Sequence, residues 1–268
     1  MSHRLPTYFI SHGGGPWPYM KAASGGMFDR LEASLEAIAR EIGPTPRAVL
    51  VVTGHWEAPA FTLQTAARPG MVYDYVGFPA HTYEVVYPAP GEPALARQAI
   101  ALLAAAGLPV REDAERGFDH GTFTPLVAMY PQADVPVVQM SLLDSYDPGL
   151  HLAAGRALAP LRAEGVVIVG SGLSYHNLRL MGPAARQPSA RFDAWLQDTL
   201  AQPPAVRSSR VLHWAQAPDA RLCHPQEDHL LPLMVALGAA ETEDAHVVYH
   251  EEAFFGGVTV SSFRFGAA

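Results

Sequence analysis

The sequence predicts an α/β fold: a single-domain sandwich with a central, largely parallel sheet flanked by helices on both faces. Two observations point there. Four apolar, β-branched runs, TYFI (7–10), RAVLVVTG (47–54), VPVVQMSL (135–142) and GVVIVGSG (165–172), are continuous rather than alternating. Strands buried on both faces of a parallel sheet have that pattern. Between the runs lie segments with helical spacing, and such alternation builds layered α/β folds. A chain of 268 residues can bury a full core. No repeat, low-complexity tract or linker divides it, so one domain over 1–268 is expected.

Along the chain, the first strand ends in Ser11-His12 and three glycines, Gly13 to Gly15. MFDRLEASLEAIAREIG (27–43) spaces its apolar residues helically and closes on a glycine, a common helix stop. The second strand leads into His55. Segment 54–92 then breaks the rhythm. FTLQTA alternates, and MVYDYVGFPAHTYEVVYPAPG is rich in aromatics and proline, which predicts an excursion over one rim. EPALARQAIALLAAAG (92–107) and GLHLAAGRALAPLRAEG (149–165) read as helices, the second broken or kinked at Pro160 because proline removes a backbone donor. VTVSSFRFG (258–266) reads as an edge strand.

Composition excludes several classes of function. The net charge is -8 and Lys21 is the single lysine; without a basic stripe, nucleic acid is not an expected partner. The longest apolar stretches, such as IALLAAAGLPV (100–110), are too short to span a bilayer, so no membrane is expected either. The start of the sequence lacks the pattern of a secretory signal, and a cytoplasmic protein is expected. One cysteine, Cys223, allows neither an intramolecular disulfide nor a thiolate cluster. Twelve histidines are the unusual feature.

Three of these lie at or just past predicted strands: His12, His55 in VVTGHWE, and His176 in GSGLSYHNL. Ligands of open α/β sheets bind at the carboxyl ends of strands, and neutral imidazole is the commonest protein metal ligand. A further candidate is His229, at or near the start of an apolar helix over 229–238, whereas His224 sits in a turn set by Pro225. Any one of them alone would be an ordinary capping or loop residue. The glycines lack the lysine and hydroxyl of a phosphate loop and suit close approach of the backbone to something bound at His12. Asp119-His120-Gly121 reads either as a capped helix start or as a hydrogen-bonding position near a metal. His3, His151, His213, His246 and His250 have no such context and are expected at the surface or in the core.

The chain resembles the class III extradiol ring-cleavage dioxygenases, in the branch of 4,5-DOPA dioxygenase extradiol-like proteins. The stretches that carry the likeness are FISHGGGP (9–16), VVTGHWE (51–57), GFPAHTYEVVYPAPGEPALA (77–96), GFDHGTFTPLVAMYPQADVPVVQMSL (117–142), GSGLSYHNLR (170–179) and HPQEDHLLPL (224–233). The resemblance implies His12, His55 and His229 as metal ligands, His176 as acid/base, and His120 as a residue near the substrate. Better-known ring-cleaving relatives use glutamate as the third ligand, in the two-histidine, one-carboxylate set of Fe(II) oxygenases. Histidine at 229 departs from that and suits zinc as well. Glu57 is either a carboxylate ligand or a partner of His55.

What the resemblance implies is a non-haem Fe(II) dioxygenase that opens a catechol such as DOPA, or a related small diphenol, with O2. His176 takes and returns a proton, and the aromatic stretch VYDYVGF (72–78) either closes over the ring or packs in the core. Two other readings use the same residues: a zinc-dependent hydrolase, and a non-catalytic binding relative. Monomer and homodimer are both compatible with the sequence.

Overall fold

The computed structural model describes residues 4–43 and 46–267. Eight strands make one sheet: β1 (Thr7–Ser11), β2 (Ala48–Ala58), β3 (Phe61–Gln64), β4 (Val110–Asp113), β5 (Val137–Leu143), β6 (Val166–Gly172), β7 (Ala245–Phe254) and β8 (Val258–Phe265). Their order across the sheet is β4-β3-β5-β2-β6-β1-β8-β7. The centre, β5-β2-β6-β1, is parallel throughout, and β8 and β7 add on antiparallel. All of β1, β5 and β6 is buried, which is why those runs carry no polar alternation.

Side chains of one strand alternate between faces, and β6 shows what covers each. Gly172 faces the apolar helix Leu231–Ala239, and a Cβ there would stand 2.1 Å from the His229 carbonyl oxygen. Only glycine lets the chain before that helix lie directly on the strand. Ser171 points the other way and donates to the carbonyl of Gly121, in the helix His120–Met129. Helices therefore pack on both faces. Helix Leu231–Ala239 is wholly buried between the sheet and the helix Pro148–Leu158.

The helix expected over 27–43 spans Asp29–Ile42, and that over 92–107 spans Pro93–Ala105. At Pro160 the third changes as expected: Pro148–Leu158 gives way to a 3-10 turn over Ala159–Glu164. One expectation needs correction. Strand β8 is not at the edge, because β7 pairs along it and takes the outer position. The alternating run at β3 has no exposed face; Thr62 and Gln64 are buried and bond to the carbonyls of Ala60 and Ala66 at 2.9 and 3.0 Å. Helices Arg186–Leu200 and Pro204–Leu212 lie where the sequence reading assigned nothing.

Candidate metal centre

Three adjacent parallel strands, β2, β6 and β1, end at one rim. His12 follows β1 directly. His55 lies within a break in the pairing of β2, where the five steps from Val52 to Glu57 run opposite two from Met140 to Leu142. Such a bulge re-aims side chains at the edge of a sheet. His229 comes two residues before the helix Leu231–Ala239, over Gly172. Asp119 caps the helix that starts at His120, accepting from the Thr122 amide at 3.1 Å. The capped start expected at His120 is thus present.

The ring nitrogens explain the arrangement. His55 Nε2 lies 3.1 Å from His12 Nε2 and 3.1 Å from His229 Nε2. The other nitrogen of each ring already has a partner. His229 Nδ1 lies 2.6 Å from Asp228 Oδ2, and His55 Nδ1 3.2 Å from Asp74 Oδ2. His12 Nδ1 lies 3.3 Å from Ser171 Oγ, whose own proton goes to Gly121, so the imidazole N–H is the donor there. With protons on Nδ1, the Nε2 lone pair of His55 faces those of His12 and His229. Neutral imidazoles this close repel unless a cation lies between them. Two nitrogens on one ion, each about 2.1 Å from it and at right angles or tetrahedral, are about 3.0–3.4 Å apart. The observed spacing fits, and partners on the far nitrogen are how metal-binding histidines are held.

Electrostatics agree with neutral ligands. Burial, then the charge of His229, lowers the pKa of His12 well below the usual value. Burial and His120 do the same to His55, and burial with His176 brings His229 down to about 4. Burial pushes Asp228 up, but hydrogen bonds from His176 and His229 outweigh it and hold the carboxyl well below the usual range. Burial likewise raises Asp74, and the hydrogen bond from His120 more than reverses it.

The remaining site residues surround this cluster. Asp74 Oδ1 accepts from the His120 amide at 3.1 Å and lies 2.8 Å from His120 Nδ1, so one carboxylate ties His120 to His55. His120 offers a ring nitrogen within 4.8 Å of those of His12 and His55; His176, Asp228 and His229 form a second such group. The His176 ring stacks on His229 with centroids 3.4 Å apart, and its Nδ1 is 3.8 Å from Asp228 Oδ2. Glu57 is not a member of either group. It is exposed, with Oε1 3.4 Å from Gln226 Nε2. His224 is buried elsewhere, its Nε2 3.0 Å from the Ser174 carbonyl. His151 is a core residue, His246 and His213 are on the surface, and His250 is half-buried. His3 lies outside the described residues.

Gly13, at φ +86°, turns the chain so that Trp17 Nε1 donates to the His12 carbonyl at 2.8 Å, and a Cβ on Gly13 would overlap that indole at 2.4 Å. Gly15, at φ +53°, lies against Phe78. The three glycines line a cavity of about 740 Å3 that opens over the histidines. Tyr75 is buried, with its hydroxyl on the Thr82 carbonyl at 2.5 Å, while Phe78 lines the cavity. The stretch is thus partly packed in the core and partly lines the cavity. Sequence reasoning did not assign Asp74, Asp228 or Ser171. The adjacency of Asp228 to His229 was a usable signal; Asp74, in an irregular segment, gave none.

Residues 1–266 match the family described as the catalytic LigB subunit of aromatic ring-opening dioxygenase. A protein of Hapsidospora irregularis named dioxygenase tasH is 38% identical over 98% of this chain and 86% of its own length. The 4,5-DOPA dioxygenase extradiol of Beta vulgaris is 36% identical over 97% of this chain and 96% of its own. The Escherichia coli K12 protein of the same name is 33% identical over 99% and 96%. Among solved structures, the uncharacterized protein JW3007 of Escherichia coli K12 superposes with a TM-score of 0.78 at 28% identity, covering 98% of this chain and 100% of that one.

Proposed function

The chain belongs to the LigB family of aromatic ring-opening dioxygenases, and on that premise we propose that it opens a catechol beside the diol with O2, at Fe(II) held by His12, His55 and His229. It is an enzyme of the extradiol class and depends on a metal; the substrate, the metal and the roles of single residues are what we add. The proposed domain spans residues 1–268 and works in the cytoplasm. The substrate class is a small catechol; DOPA is named in several relatives. The observation that carries the reading is the pair of 3.1 Å contacts among Nε2 atoms whose Nδ1 partners are already in place.

Fe(II), when bound, supplies the one-electron chemistry that lets O2 react with a closed-shell ring. The protein does the rest. Asp74, Asp228 and Ser171 hold the imidazoles so that no reorganisation is needed when the metal and substrate arrive. His176, stacked on His229, takes a proton from a catechol hydroxyl on Nε2 and later returns it. Asp228 faces its Nδ1 and steadies the charged ring in between. His120, fixed through Nδ1 by Asp74, presents its other nitrogen as a hydrogen-bonding position beside the substrate. The ring bond between a hydroxylated carbon and its unsubstituted neighbour breaks. One oxygen atom ends in the new carboxylate and the other in the new aldehyde, a muconic semialdehyde.

Protein loaded anaerobically with Fe(II) and then given catechol and air should consume one O2 per catechol and form the yellow semialdehyde. A zinc-loaded sample should do neither. Iron-occupied protein that consumes no O2 with any catechol, or zinc-loaded protein that hydrolyses amides or esters, would overturn the proposal.

A further inference from the structure

We infer that this site selects catechols whose ring substituent is apolar and carries no carboxylate, so that DOPA is a poor substrate for this chain; the inference rests on the catechol reading above. Three observations carry it. The cavity, about 740 Å3, is of the size that encloses drug-sized ligands and exceeds what one dihydroxybenzene fills. A substituent on the ring must occupy the remainder.

None of the lining residues is lysine or arginine. The charged groups there besides histidine are Asp74 and Asp228, both acidic. Asp74 and Asp228 Oδ2 are committed to histidines, and Asp228 Oδ1 is buried without a hydrogen-bond partner. A substrate carboxylate would therefore find no lysine or arginine to pair with; the donors lining the cavity are histidines and neutral groups such as Ser24 and Asn177. An anion buried without a partner is strongly disfavoured.

The third observation is the wall and mouth of the cavity. Trp17, Phe28, Phe254 and Phe255 line it. At its mouth stand Val76, Leu178 and Met27, which are 88%, 74% and 41% exposed. Large apolar side chains exposed together mark a place where apolar matter binds. Here they continue an apolar path from the ring outward, as a substituent longer than the ring would need.

The test compares 3-(3,4-dihydroxyphenyl)propanoate with its methyl ester and with 4-propylcatechol. These share a skeleton and differ in charge. Binding is measured anaerobically by calorimetry, and turnover by O2 uptake. Ester and propyl compounds should bind at least about 10-fold more tightly than the acid and show a similar advantage in kcat/KM, since the acid buries an unpaired charge. Leu178→Arg, at an exposed position that tolerates a large side chain, should narrow the ratio about 3-fold or more by offering the carboxylate a partner. Acid binding as tightly as ester overturns the inference whatever the turnover. A kept binding ratio without cleavage of any of the three overturns the proposed function and leaves the inference standing. If a second copy of the chain covers the mouth instead, Leu178→Arg will disrupt a dimer and leave the ratio unchanged, which also overturns the inference.

Discussion

Two regions of this molecule bury histidines, and the contrast lies in what their nitrogens meet. In the core, His151 is fully buried; its Nδ1 donates to the Asp147 carbonyl at 2.6 Å and its Nε2 accepts from the Leu143 amide at 3.2 Å. Both nitrogens are used within the chain, one as donor and one as acceptor, which suits a neutral ring. At the rim, His12 and His229 are as buried, but only Nδ1 is used, and the Nε2 of each faces that of His55. Burial alone does not distinguish a ligand from a core residue. Convergence of unpartnered lone pairs does, because a buried polar atom without a partner is costly; a single one, such as His224 Nδ1, makes no site.

The contrast breaks most decisively through His55, whose Nε2 touches both of the others. His55→Ala should lose stoichiometric metal and more than about 10³-fold in ring-opening rate, since the ion supplies the chemistry. His151→Leu should keep the metal. Equal metal content in both, by elemental analysis of purified protein, would erase the distinction. His176→Ala comes next. It removes a proton acceptor without removing a ligand, so turnover should fall about 10²-fold or more while metal content stays. Wild-type turnover in that variant would remove His176 from the mechanism. Below it comes Asp228→Asn, which keeps the size of the side chain but weakens its hold on His229 Nδ1. Metal affinity should drop about 10–100-fold, read by competition with a chelator; an unchanged affinity would mean the carboxylate does not orient the ligand.

The sequence carried the central strands because burial on both faces leaves an uninterrupted apolar run, and it carried the break at Pro160 because proline acts locally. It carried His12, His55, His176 and His229 through their places after strands and before a helix. What it lacked is tertiary. Asp74 reaches His55 and His120 from a segment without periodicity, and Ser171 reads as one more residue of a buried strand. The position of β8 depends on β7, whose AHVVYHEEAF mixes charged and apolar residues and does not announce a strand. The helix Arg186–Leu200 contains Pro188 near its start, which a linear reading takes as a break although the first turn of a helix tolerates proline.

The core half of the contrast has its own, smaller test. Burial lowers the pKa of His151 to about 4, against about 6.5 in an unfolded chain. Above about pH 6.5 neither state holds the extra proton, and the group does not affect the pH dependence of stability. As the pH falls from 6.5 towards 4, the unfolded chain takes up a proton that the folded one refuses, so stability is lost at up to about 1.4 kcal/mol per pH unit from this residue. His151→Leu removes that uptake. It also leaves the Leu143 amide without an acceptor, which should cost about 1–3 kcal/mol at neutral pH. The variant should therefore be the less stable protein at pH 7 in urea denaturation, and the gap should shrink steadily as both are taken to pH 4.5. Taking the difference between the two proteins cancels the contribution of the rim histidines. A gap that stays constant with pH would mean that His151 is not held neutral by the core, and the line drawn between the two kinds of buried histidine would then rest on the metal measurements alone.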